Sequence, residues 1–113
     1  MKVSELKPEM KKIEIIVKVE DKSKPREVVL ASDNMLHRVC DAIVGDETGA
    51  IFLSLWDEMI ETVLLGRYYK ISNAYTGVYR SSLRLNTGKY AKIALAEGRF
   101  EVNTANNLSL REL

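Results

Sequence analysis

Between residues 11 and 20 the chain reads KKIEIIVKVE, with Ile13, Ile15, Val17 and Val19 on one side of a two-residue repeat and Glu14, Lys18 and Glu20 mostly on the other. Successive side chains of an extended chain point to opposite faces, so this alternation predicts a half-buried strand. DKSKPREVVLASDN (21–34) is polar and interrupted by Pro25, which predicts a long excursion or an extended hairpin arm. MLHRVCDAIVG (35–45) resumes strand character, and GDETG (45–49) carries turn chemistry. There Asp46 can bond its own backbone, and Gly49 can adopt a positive φ at no steric cost. AIFLSLW (50–56) alternates again, with Ile51, Leu53 and Leu55 on one face and Phe52, Ser54 and Trp56 on the other.

The period then changes. DEMIETVLLG (57–66) places Met59, Ile60, Val63 and Leu64 on one helical stripe, with Asp57 suited to the N-cap and Gly66 to the stop. RYYKISNAY (67–75) predicts a strand, SSLRLN (81–86) its hairpin partner, and KYAKIALA (89–96) a continuation beyond a Thr87–Gly88 turn. Five strands with one short helix between the third and fourth is the element order of an all-β, five-stranded OB-fold barrel. At 113 residues the chain has the length of one domain. Residues 1–97 are expected to form the barrel, and 98–113 a C-terminal extension packed on it.

Composition adds that 46% hydrophobic and 29% charged residues suit a globular domain rather than a disordered chain. No apolar run approaches the roughly 18 residues of a membrane span, and the start lacks the apolar stretch of a signal peptide. A cytoplasmic, nucleoid-associated location is expected. The net charge of +1 conceals a segregation. Between Glu61 and Glu97 there is no carboxylate, while Arg67, Lys70, Arg80, Arg84, Lys89 and Lys92 fall inside, making that window +6 and the remainder −5. All five tyrosines lie in the same window. A basic stretch interleaved with aromatic rings is what a polyanion with stackable bases requires.

Enzymatic chemistry finds little support. With one cysteine and one histidine the chain has neither an internal disulfide nor a histidine- or cysteine-rich metal site, and no cofactor motif is present. His37 and Cys40, three residues apart on a strand, point to opposite faces and are not read as a catalytic pair. Trp56 is more informative. A lone tryptophan is ordinarily a core residue, but the alternation puts Trp56 with Ser54, opposite the Ile51–Leu53–Leu55 set. That face favours a base-stacking platform. Tyr75 and Tyr79, flanking the expected hairpin turn, are either local packing or further platforms. Arg80 and Arg84 are either solvated charges or phosphate and base contacts. Tyr68, Tyr69 and Tyr90 are assigned to packing.

VGDETGAIFLSLW, a short helix, and GRYYKISNAYTGVYRSSLRLNTG together resemble the archaeal and eukaryotic simple single-stranded DNA-binding proteins. These are single OB-folds related to the domains of replication protein A, and SELKPEMKKIEIIVKV resembles their opening strand. The resemblance covers about residues 4–97. It implies binding of single-stranded DNA with little sequence preference, in replication, recombination or repair, through three groove aromatics. At the matching positions these are Trp56, Tyr75 and Tyr79. It further implies that Arg80, Arg84 and Asn86 border the groove, with the strand around His37 and Arg38. No cofactor or metal is implied, and a monomer is favoured. Many relatives continue into a Gly/Arg-rich tail that recruits other proteins; RFEVNTANNLSLREL is neither glycine-rich nor strongly acidic, which puts tail-mediated recruitment in doubt and leaves replication or repair proteins open as partners. Two other readings remain open at the level of sequence: a single-stranded RNA binder, and an OB-fold scaffold subunit whose aromatic-basic face docks a protein.

Overall fold

The computed structural model describes residues 1–111. Six strands run as β1 (Ile13–Lys22), β2 (Arg26–Val29), β3 (Leu36–Asp46), β4 (Gly49–Trp56), β5 (Tyr68–Tyr79) and β6 (Ser82–Ala96), with one helix, α1 (Met59–Thr62), between β4 and β5. Five of them close a ring: β1 pairs β5, β5 pairs β6, β6 pairs β4, β4 pairs β3, and β3 returns to β1. Only the β4–β6 contact is parallel, and it spans just Phe52↔Arg84 and Leu53↔Leu85. β2 lies outside the ring, paired to the first half of β3 as an extended arm. This is the OB fold, an all-β barrel.

Alternation decides what enters it. Ile13, Ile15, Val17 and Val19 of β1, Ile51, Leu53 and Leu55 of β4, and Ile71, Leu83 and Leu85 of the β5–β6 hairpin are all buried. Val3 and Leu6 from a 3-10 turn at Val3–Glu5, Ile60 and Val63 from α1 and its exit, and Leu108 complete the core. Asp46 ends β3 inside this shell. Its carboxylate accepts from Thr48 N at 2.9 Å and from Val3 N at 3.0 Å, so it shapes the turn and anchors the N-terminus together.

Several local expectations are corrected. Gly49 does not take a positive φ; Gly66, at φ 80°, is the described glycine that does. The missing side chain at Gly49 serves close approach instead, since a Cβ there would sit 2.9 Å from Asn106 O. The helix spans four residues rather than ten, and Asp57 does not cap it. Asp57 adopts φ 51° and turns its carboxylate back onto β3. At the other end Leu64 N donates to the Tyr69 hydroxyl (2.8 Å), and Lys22 Nζ donates to the carbonyls of Ile60 and Val63, which stops the helix early.

The hairpin turn is also displaced. β5 runs through Thr76 and Gly77 to Tyr79, and the reversal falls on Arg80 and Ser81, at φ 51° and 63°. Two central residues with positive φ match the twist of the flanking strands. Thr87–Gly88 is no turn, because β6 is continuous there. The irregularity is a bulge: Ser72 pairs Lys92 and Ala74 pairs Thr87, leaving residues 88–91 without a register partner on β5.

Residues 98–111 cross the seam where β4 and β6 barely pair. Asn103 N donates to Asp46 O and Ala50 N to Asn106 O, each at 2.9 Å. The Ser109 hydroxyl accepts from Phe52 N (2.8 Å) and donates to Leu83 O, while Ser82 Oγ donates to Ser109 O (2.7 Å). One buried serine thereby links the two strands. The last two residues of the expected extension, 112 and 113, lie outside the described residues.

Candidate nucleic-acid interface

The residues of β4 that alternate with its core set, Phe52, Ser54 and Trp56, face outward and are half-buried. Register brings Ile43, Asp41 and Val39 of β3 beside them, and Arg84 of β6 beside Phe52 from the other side. Gly77 and Tyr79 of β5 stand opposite Arg84 and Ser82. The outer arm adds Arg26 opposite Val39 and Val28 opposite His37. Together they form a groove of about 370 Å³ between arm and hairpin. Val28, Leu30 and Val39 line its arm side, Trp56 its floor, and Tyr79, Arg84 and Asn86 its hairpin side.

Tyr79 is 53% exposed, so its ring is open to a ligand. Two guanidinium groups approach that ring, Arg80 at 5.2 Å and Arg84 at 5.5 Å, and Arg84 also lies 5.2 Å from the Phe52 ring. Such contacts orient a guanidinium without neutralising it. Asp41 does neutralise it in part: its two carboxylate oxygens lie 2.9 Å from Arg84 Nη1 and 3.3 Å from Arg26 Nη1. One carboxylate thus holds arginines from both walls of the groove.

Tyr75 is placed differently. It shares the outward face of β5 with Gly77 and Tyr79, yet lines a second cleft at residues 11–12, 73–75 and 88–90 rather than the groove itself. The three aromatics expected to act together are therefore divided, with Trp56 and Tyr79 in one groove and Tyr75 beyond Gly77.

His37 and Arg38 stand at the base of the arm. His37 Nδ1 is 2.7 Å from Asp57 and Nε2 is 2.7 Å from Asp33, so both ring nitrogens face a carboxylate. The hydrogen bond to Asp57, reinforced by that to Asp33, raises the His37 pKa above its ordinary value. Both aspartates are lowered in turn, Asp57 chiefly by His37 and Asp33 chiefly by the Met35 amide, with His37 next. Arg38 Nη1 lies 2.7 Å from Glu61, toward α1 and away from the groove. Cys40 is buried, and burial pushes its thiol pKa up.

Sequence reasoning missed Arg26, Val28 and Leu30, because pairing of the arm with β3 is not written in the 21–34 stretch. It also missed Asp41, whose importance lies in two arginines 15 and 43 positions away. Tyr90, assigned to packing, is 75% exposed; its place in the carboxylate-free window was the available signal.

Comparison with known proteins bears on the family and the fold. Residues 6–95 match the family described as single-stranded DNA binding protein Ssb-like, OB fold. The chain is 37% identical over 95 residues to the single-stranded DNA binding protein Ssb of Saccharolobus solfataricus, covering 84% of this chain and 63% of that protein. It therefore spans a little under two thirds of that relative's length. Among solved structures, a hypothetical protein from Arabidopsis thaliana superposes with a TM-score of 0.83 at 26% identity, over 99% of this chain and 83% of that one. The second OB-fold domain of replication protein A from Methanococcus maripaludis shares the fold, with a TM-score of 0.68 at 24% identity over 89% and 98%.

Proposed function

The chain belongs to the Ssb-like family of single-stranded DNA-binding OB folds, and on that premise we propose that it binds single-stranded DNA with little sequence preference in the groove between arm and hairpin. The family is one of DNA-binding folds, not of enzymes, and the proposed role is non-catalytic. The observation that carries the reading is the pair of outward rings, Trp56 and Tyr79, bordering one groove that also receives Arg26, Arg84 and Asn86. Every base has a π-face, so rings select for single strands rather than for sequence. Arg80, at the hairpin tip, and Arg84 supply charge and planar donors to phosphate or base edges. Tyr75 extends the stacking surface along β5. His37 serves by holding the arm, and Arg38 braces its base against α1. The role is in replication, recombination or repair, performed by a monomer in the cytoplasm.

A stacked base is worth about 1–3 kcal/mol by alanine substitution. Trp56→Ala and Tyr79→Ala are each expected to weaken oligonucleotide binding by about 5- to 150-fold with the thermal unfolding midpoint little changed. Two folded variants that bind as the parent does would remove the groove assignment. Competition between matched DNA and RNA oligomers tests the ligand, and preferential RNA binding would contradict the DNA reading.

A further inference from the structure

The bulge in β6 has a consequence for the path of a bound strand. Residues 88–91 arch away from β5 and carry Tyr90 into solvent, 75% exposed. Beside it lies Tyr75, 42% exposed, whose ring runs along Gly88; a Cβ on Gly88 would stand 3.4 Å from Tyr75 Cε1. The two tyrosines share a cleft of about 430 Å³ with Lys11, Lys12 and Asn73, and no carboxylate lines it among the described residues. Both lysines are exposed and take part in no ion pair among the described residues. Their segment is fixed in place. Met10 N donates to Thr76 Oγ1 (2.9 Å), Thr76 N donates to Met10 O (2.9 Å), and Thr76 Oγ1 donates to Lys7 O. The stretch before Lys11 is thereby sewn to the residue next to Tyr75.

We propose that Tyr90, Lys11 and Lys12 extend the stacking position at Tyr75 into a second nucleotide subsite, which takes the base of a strand leaving the groove on the tyrosine rings and its phosphates on the lysines. Continuity supports single-stranded nucleic acid as the occupant. Tyr79, Gly77 and Tyr75 follow one another on one face of β5, and Tyr75 lies roughly 13 Å from Tyr79 along the strand at about 3.3 Å per residue. The glycine between them leaves the floor open, as a bare backbone does where a ligand passes closely. Charge is complementary, since two cations meet a polyanion with no acid in the lining. Bulges recur where a strand must re-aim a side chain at a ligand.

This inference rests on the groove reading, and length-dependent binding separates the two. The full chain is titrated with oligothymidylates of about 4 and about 12 nucleotides, spanning the site sizes of OB folds. Tyr90→Ala is expected to lose about five-fold or more on the longer oligomer and nothing on the shorter. Lys11→Gln with Lys12→Gln should flatten the salt dependence of the longer oligomer by about 0.7 per lysine in log–log slope, leaving the shorter unchanged. Variants that match the parent on both lengths, while the parent binds both, would overturn the subsite and leave the groove standing. Equal weakening on both lengths would also overturn it, by showing an effect not confined to the strand's exit. A parent chain that binds neither oligomer would remove the groove reading and this extension with it.

Discussion

Trp56 and His37 show what a single residue reveals and what it withholds. The outward face of Trp56 was legible because two-residue alternation is a property of the chain itself. The environment of His37 was not, because Asp57 reaches it only through a backbone turn at φ 51° and Asp33 through the arm's loop. The clamp has a defined pH signature. A folded His37 pKa above its unfolded value near 6.5 contributes stability fully below about pH 6.5, and that contribution is lost as pH rises through the folded value. The lowered aspartates work in the opposite sense, contributing above about pH 4 and losing their effect as pH falls through their folded values. The arm is thus held best between roughly pH 4 and 6.5. Thermal midpoints measured from about pH 6 to 8.5 are expected to fall for the parent chain, relative to His37→Gln. His37 is the sole histidine, so coincident profiles for the two proteins would contradict the clamp.

At the scale of elements, strands with clean alternation were predicted within a few residues, as was the turn between β3 and β4 at Glu47 and Thr48, whereas the reversal of the β5–β6 hairpin was not. Thr76–Gly77 resembles a turn by composition, but Gly77 pairs with Arg84 in mid-strand, and the true turn uses Arg80 and Ser81. Propensity favours glycine where φ is positive; here the register of a long hairpin overrides it. The helix was over-extended for a similar reason: Tyr69 and Lys22, both from other elements, take the polar groups at its end. The C-terminal segment offers the sharpest test of element-level packing. Ser109→Ala deletes one buried and one half-buried hydrogen bond across the β4–β6 seam, leaving Phe52 N and Leu83 O without the serine hydroxyl, at a cost of about 1–3 kcal/mol per unsatisfied group. Chemical denaturation should show that loss while oligonucleotide affinity stays within about two-fold. Parent-like stability would mean that the segment does not hold the seam.

Across the whole molecule, the segregation of charge in sequence is only partly a segregation in space. Arg84 pairs with Asp41 and Lys70 lies 3.1 Å from Glu14, so among the described residues cations of the carboxylate-free window meet acids from outside it. The groove therefore relies on rings more than on a strong positive field. Binding should depend only moderately on salt, at about −0.7 in log–log slope for each phosphate contacted. The barrel itself followed from element order, since five alternating strands have few ways to close without an edge. The partition of the aromatics between two clefts did not, because it depends on a bulge that composition does not mark. The central claim, that the groove floored by Trp56 receives single-stranded DNA, meets its most direct test in intrinsic fluorescence. Trp56 is the chain's only tryptophan, so its emission reports on this groove alone. Titration with single-stranded oligonucleotide is predicted to quench it saturably, with duplex of the same sequence far less effective. Unchanged emission, together with no binding by oligonucleotide anisotropy, would contradict the account.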